Sequence, residues 1–188
     1  DIVSLDTRGE LHVENIDKTL CAKLRISLLL LGALSNRISS YTIFRSGGCH
    51  LGERTTRPHT IGLEKLGMRI ARTEESYVVE AGECLGAHVT MYESSDTATE
   101  NIIMAAVLAR GNTTITFASA NYMVQDLCYF LVACGAKISG IGSTTLSIEG
   151  VSKLVPPEVY APMPDPVDAL AWISLAVATD SQLTVRGC

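Results

Sequence analysis

The sequence contains no CxxC pair, no long Lys/Arg run, no low-complexity linker and no apolar stretch long enough for a bilayer. Each absence excludes a class. The six cysteines are Cys21, Cys49, Cys84, Cys128, Cys134 and Cys188, and most of them sit in apolar surroundings. That pattern argues against a zinc site or a disulfide framework and fits the reduced thiols of a cytoplasmic protein. The net charge is −5, and with no basic run to offset it a nucleic-acid partner is not expected. The apolar run inside Leu24–Leu34 is too short to span a membrane. It is also internal, so it is not a signal peptide.

What is present is a chain of 188 residues, 47% hydrophobic and 19% charged. That suffices for a buried core and for one domain or slightly more. The chain opens without Met and closes on a strand pattern, Gln182-Leu183-Thr184-Val185. The expectation is a piece of a longer protein; a processed terminus is the alternative.

Three segments share one shape: Leu24–Ser46, Asn101–Ser119 and Ala169–Gly187. Each opens with an apolar helical run, crosses a polar turn and enters an alternating strand. Phe44, Phe117 and Val185 then correspond, 73 and 68 residues apart. A second element also repeats. Gly62–Ile70 parallels Tyr129–Ile138, a short helix closed by glycine in a left-handed C-cap. A strand beginning Arg/Lys-Ile follows, and then a second strand, Tyr77–Glu80 or Thr145–Glu149. Glu10–Glu14 reads as the closing strand of an earlier unit. The expected fold class is therefore α/β (α+β), with strand–helix–strand–helix–strand–strand units that bury their helices together. Regular structure is expected to break at the prolines from Pro156 to Pro166.

One short stretch carries the chemistry. Gly47-Gly48-Cys49-His50-Leu51-Gly52-Glu53-Arg54 sets a thiol in a glycine-rich turn. Arg45, His50, Arg54, Arg57 and His59 fall within fifteen residues, against the single acid Glu53. A positive field lowers a thiol pKa and attracts small anions. Glycines let backbone N–H groups approach a ligand. The spacing alone leaves open a second reading, an inert cysteine in a surface turn. His12 and His88 read as structural, Glu93 and Asp96 as solvated loop acids, and Asp126 and Asp168 as helix caps.

The repeat and the motifs together resemble the enolpyruvyl transferases. The matching stretches are Lys23–Ser27, Gly47–His59, Gly62–Ile70, Ala98–Asn101 followed by Met104–Ala106, and Gly135–Gly140. The resemblance implies an inside-out α/β barrel of βαβαββ units, three per domain. Residues 1–160 would form most of the cysteine-loop domain, and residues 161–188 would begin the return into a second domain of the same chain. The implied reaction moves the enolpyruvyl group of phosphoenolpyruvate to the 3′-hydroxyl of UDP-N-acetylglucosamine, a step in peptidoglycan precursor synthesis, and releases phosphate. It needs no cofactor and no metal. By the same resemblance Cys49 protonates or traps phosphoenolpyruvate, and Arg54 and Arg25 bind its anionic groups. His59 lies near the nucleotide, and Ser95 belongs to the loop that receives the UDP moiety. A guanidinium fork suits carboxylate and phosphate.

Several positions depart from the family pattern, and they gather on the nucleotide side. Glu93 stands where a lysine is expected, and Arg57 where an aspartate is. Ala120-Asn121-Tyr122-Met123 replaces Arg-Glu-Pro-Glu, and Asp165-Pro166-Val167-Asp168 replaces Asp-Arg-Ile-Glu. Two alternatives follow: a diverged paralogue using another nucleotide acceptor, or a non-catalytic nucleotide-sugar-binding homologue. An RNA-cyclase-like relative is disfavoured, because no histidine nucleophile is evident.

The basic cluster yields a first prediction. Cys49 reacts faster with alkylating agents than the other five cysteines, with an apparent pKa below about 8.5. Alkylation rates followed against pH with peptide mapping check this; equal labelling of all six thiols would contradict it.

Overall fold

The computed structural model describes residues 3–4, 6, 9–47 and 55–188. The chain divides into two compact units, Asp1–Pro156 and Pro157–Cys188. In the first unit the helices are α1 (Lys18–Lys23), α2 (Leu30–Ala33), α3 (Arg57–Lys65), α4 (Asp96–Ala106) and α5 (Tyr122–Ala133). Its strands are β1 (Ser40–Phe44), β2 (Arg69–Arg72), β3 (Ser76–Glu80), β4 (His88–Thr90), β5 (Asn112–Thr116), β6 (Lys137–Ser139) and β7 (Thr145–Glu149).

The strands form two sheets. One has the order β1-β3-β2 and the other β4-β5-β7-β6. All pairs are antiparallel except β4 with β5, which is parallel. The sheets share one register. Ser40 faces Glu80, which faces Arg69; Asn112 faces Glu149, which faces Lys137. The internal repeat is thus present in the strand layer. Its phase differs by one residue from the sequence alignment, since Phe44 corresponds to Thr116. Phe117 has left the ladder with φ 60°, a region that bulky side chains avoid.

Alternation explains the layering. Tyr41 and Ile43, Tyr77 and Val79, Thr113 and Ile115, and Leu146 and Ile148 point inward, and their neighbours are more exposed. These faces close on the helices. Eight of the eleven residues of α4 are buried, including Ile102 and Ile103 at 0% exposure. A helix apolar over most of its surface belongs inside, and each fully buried Leu or Ile contributes about 1.5–3 kcal/mol. Both expected glycine caps occur, with Gly67 after α3 and Gly135 after α5 each at φ 99°.

Four expectations are corrected. Glu10–Glu14 is not a strand, and Val13–Asn15 form a 3-10 turn. The apolar run that opens the Leu24–Ser46 segment is not one continuous helix, because a 3-10 turn over Arg25–Leu29 leads into the short α2. The tight turn satisfies early backbone groups before α2 packs on α4. Gln182–Val185 is not a strand, since an isolated extended segment has no ladder to join. Asp126 and Asp168 lie within α5 and α6 (Pro166–Ala178), and Asp165 caps α6 by accepting from the Val167 and Asp168 N–H groups.

In the second unit, α6 is apolar on every side and has no buried residue. Val167, Leu170, Trp172, Ile173, Leu175 and Val177 are all exposed. Among the described residues, no helix is long and apolar enough to cross a membrane.

The helices of the first unit approach closely at Gly32. A Cβ there would lie 2.1 Å from the Asn101 carbonyl oxygen. Gly32→Ala should therefore lower stability by about 1–3 kcal/mol, the usual cost of overpacking. Helix propensity alone would raise it by roughly 1 kcal/mol, so the sign of the shift in a urea-unfolding midpoint decides.

Candidate functional site

The parallel pair β4 and β5 ends on the same edge of its sheet, and the β4–α4 loop and the β5–α5 loop leave from there. The segment entering α3 reaches the same place. Arg57, at the first turn of α3, lies over the ring of Tyr92 in the β4–α4 loop, 5.8 Å from its centroid. Thr56 is buried just before it and accepts a hydrogen bond from the Tyr77 hydroxyl at 3.2 Å. At the other end of the cysteine stretch, Gly47 donates its N–H to the Cys21 carbonyl at 3.1 Å. A Cβ on Gly47 would sit 1.6 Å from the Ala22 carbonyl oxygen. This glycine is needed to seat the chain on α1, a packing reason absent from the sequence pattern. Cys49 and Arg54 lie outside the described residues.

Arg25 and His59 are brought together. Arg25 opens the 3-10 turn before α2 and is half-buried. His59 sits on α3 and is 2% exposed. It is a core residue. Burial pushes its pKa down, with the Arg25 charge as the second cause, to about 4. The ring is therefore neutral at pH 7. Asn101 of α4, fully buried, meets His59 Nδ1 at 2.8 Å and the Leu28 carbonyl at 2.9 Å through its Nδ2. Its Oδ1 accepts from the Gly32 N–H at 2.8 Å.

Ser95 stands apart from that pair. It is the N-cap position of α4, yet its side chain makes no capping bond. It lines a cleft of about 300 Å³ with Glu93, Ser94, Asp96, Thr97 and Met123. Asp96 is not a solvated loop acid. Its carboxylate accepts from the Ser119 hydroxyl, and from Asn121 Nδ2 at 3.0 Å. Thr99 Oγ1 donates to the Ser95 carbonyl at 2.7 Å and accepts from the Ser119 N–H at 3.1 Å. These bonds fix the β5–α5 turn, which carries the altered Ala120–Met123 segment, onto the first turn of α4. One turn further along α4, Glu100 is buried. Burial raises its pKa, and the Asp96 charge adds to the effect.

Three features of this region have little or no signal in the sequence. Asn101 is a lone amide before two isoleucines, and that isolation in an apolar helix is its signal. The Asp96–Ser119–Asn121 cluster joins residues more than twenty positions apart and leaves no local trace. Tyr92 has none either. Among the described residues, no group of three or more His, Cys, Asp or Glu is placed to hold a metal ion. Of the remaining thiols, Cys21, Cys84, Cys128 and Cys134 are buried and Cys188 is exposed. Burial raises the pKa of Cys84, Cys134 and Cys128, the last to about 11. These three are held as inert thiols.

The chain belongs to the EPSP synthase (3-phosphoshikimate 1-carboxyvinyltransferase) family, whose model matches residues 6–188. It is 41% identical over 171 residues to the UDP-N-acetylglucosamine 1-carboxyvinyltransferase of Borreliella burgdorferi, covering 91% of this chain and 40% of that protein. It is 34% identical over 169 residues to the enzyme of the same name from Thermodesulfovibrio yellowstonii, covering 90% and 41%. The chain thus spans about two fifths of the length of these relatives. Its fold is similar to that of the enolpyruvyl transferase NikO from Streptomyces tendae, with TM-score 0.69 and 22% identity over 88% of this chain and 38% of that one. EPSP synthase from Acinetobacter baumannii aligns with TM-score 0.51 and 21% identity over 68% and 30%.

The buried His59 sets an acid limit. Its folded pKa of about 4 lies below the unfolded value of about 6.5. Between those values the unfolded chain binds more protons, so stability rises with pH. The contribution is present above about 6.5 and is lost as pH falls toward 4, reaching roughly 3 kcal/mol at most. Glu100, raised by burial, works in the opposite sense. Comparing the pH slope of the thermal midpoint between the native chain and His59→Gln isolates the histidine share, and the variant should show the shallower slope.

Proposed function

We propose that the protein to which this chain belongs transfers the enolpyruvyl group of phosphoenolpyruvate to the 3′-hydroxyl of UDP-N-acetylglucosamine. The observation that carries this reading is the 41% identity across 91% of the chain to a transferase of that name. The ordered presence of Gly47-Gly48-Cys49, Arg54 and Arg25 accords with it. In the proposed reaction the acceptor hydroxyl adds to C2 of phosphoenolpyruvate while C3 takes a proton. The tetrahedral ketal then loses phosphate and returns the C3 proton, restoring the vinyl group. Cys49 supplies or traps at the first step. Arg54 and Arg25 hold the anionic groups, which a water-excluded site rewards strongly. Phosphoenolpyruvate is multiply charged and the acceptor is anionic, so several guanidinium groups are required.

Residues 1–160 supply the cysteine-loop domain in this reading, and residues 161–188 enter a second domain. The apolar surface of α6 supports it, because such a helix needs a covering. The remainder of the second domain, outside this chain, would provide that covering and the opposing half of the site. The chain by itself would then give no turnover.

A second reading, a paralogue with another nucleotide acceptor, is favoured by the charges around the cleft. Arg57 on Tyr92 and Glu93 at the cleft rim replace the opposite charges of the family pattern. A site that received a pyrophosphate through a lysine at position 93 would repel it through Glu93.

Phosphate release by the full-length protein, with phosphoenolpyruvate and a panel of uridine nucleotides, separates the readings. Cys49→Ala should abolish turnover by removing the proton donor. Arg54→Ala should lower kcat by about 10²–10³, the loss of one preorganised electrostatic donor, about 3–4 kcal/mol. Release with a uridine nucleotide other than UDP-N-acetylglucosamine selects the paralogue. No release with any acceptor selects a non-catalytic homologue.

A further inference from the structure

The hydrogen bonds around Asn101 determine more than packing. A backbone N–H can only donate and a backbone carbonyl can only accept. Gly32 N–H therefore identifies the atom it meets at 2.8 Å as the Asn101 oxygen. The Leu28 carbonyl identifies the atom at 2.9 Å as the amide nitrogen. A flipped amide would set donor against donor and acceptor against acceptor, so the backbone settles its orientation. The amide nitrogen carries two protons and no acceptor lone pair. One proton goes to Leu28. The other is directed at His59 Nδ1, 2.8 Å away. Nδ1 must accept it, and the imidazole proton must then reside on Nε2.

We propose that Asn101 is a positioning residue that locks His59 as the Nε2–H tautomer, so that the ring presents one fixed N–H donor, at Nε2. A group bridging that donor and the Arg25 guanidinium would be an acceptor, and an anionic one. That last step rests on the reading of His59 as a ligand-facing residue; the tautomer does not. The arrangement differs from a histidine oriented by a carboxylate. A carboxylate would accept from Nδ1–H and favour the imidazolium, whereas an amide N–H excludes a proton from Nδ1. The ring is thereby denied acid–base exchange at that nitrogen and acts as a neutral donor.

Nitrogen-15 NMR of the histidine rings in this chain at pH 7 tests the tautomer without any substrate. The expected His59 pattern is a protonated Nε2 and an unprotonated Nδ1. A protonated Nδ1, as the other tautomer or as imidazolium, overturns the proposal. Asn101→Asp replaces the N–H donor by an acceptor and should move the proton onto Nδ1. A folded Asn101→Asp that keeps the Nε2–H pattern overturns the assignment to Asn101, and if that variant does not fold the native spectrum still decides. In the full-length protein, Asn101→Asp should raise KM for the nucleotide acceptor by about tenfold or more, the cost of one buried charge-assisted contact, with a smaller change in kcat. A fall in kcat with KM unchanged overturns the positioning role. A full-length protein without turnover removes the functional reading and leaves the spectrum as the deciding measurement.

Discussion

The side chain of Asn101 is the contact on which the buried layer depends. Two regions distant in sequence from α4 meet at one amide: the 3-10 turn and the α2 that follows it, at Leu28 and Gly32, and α3 at His59. All lie in a region where an unpaired polar atom costs about 1–3 kcal/mol. The amide satisfies a backbone N–H and a backbone carbonyl left over where a 3-10 turn passes into an α-helix. Gly32 permits this because the helices approach too closely for any side chain there. Asn36 repeats the arrangement near the other end of the interface, donating from Nδ2 to the Ala105 carbonyl at 2.8 Å. The apolar contacts supply most of the free energy, and the two amides fix which backbone atoms face each other.

From that layer the site follows. α3 is held against α4, so His59 and Arg57 have a fixed relation to the β4–α4 loop. The parallel pair β4–β5 delivers two loops to one edge, and Asp96 joins their first turns through Ser119 and Asn121. The pair Arg25 and His59 and the cleft beside Ser95 thus belong to one framework with two chemical characters. The first joins a half-buried guanidinium to a buried, neutral imidazole. The second is acidic at Glu93 and Asp96 and more open.

Much of this framework was legible in the residues. Alternation placed β1, β3, β5 and β7, and glycine after an amphipathic run placed both C-caps, because those signals are local and physical. The repeat was legible for the same reason. The residues alone place its phase one position off because Phe44 and Phe117 look alike, whereas pairing with β3 and β7 is set by backbone hydrogen bonds. Glu10–Glu14 alternates like a strand but has no partner, and a strand is a property of a ladder. The roles of Asn101, Tyr92 and Asp96 were not legible, since each depends on residues brought near only by the tertiary fold. His59 was visible as a candidate, but its burial was not.

The matched registers of the two sheets bear on how such a protein can diverge. Arg69 pairs with Glu80 on one sheet, and Lys137 with Glu149 at the corresponding place on the other. These exposed pairs contribute little to stability, yet they mark a strand layer whose geometry is the same in both copies. The unusual residues of the site, Arg57, Glu93 and Ala120–Met123, all sit on connections leaving that layer. The strand ladders and the connections that leave them are thus separable parts of the chain. Substitutions in the connections can change the surface they present without disturbing the paired strands beneath them.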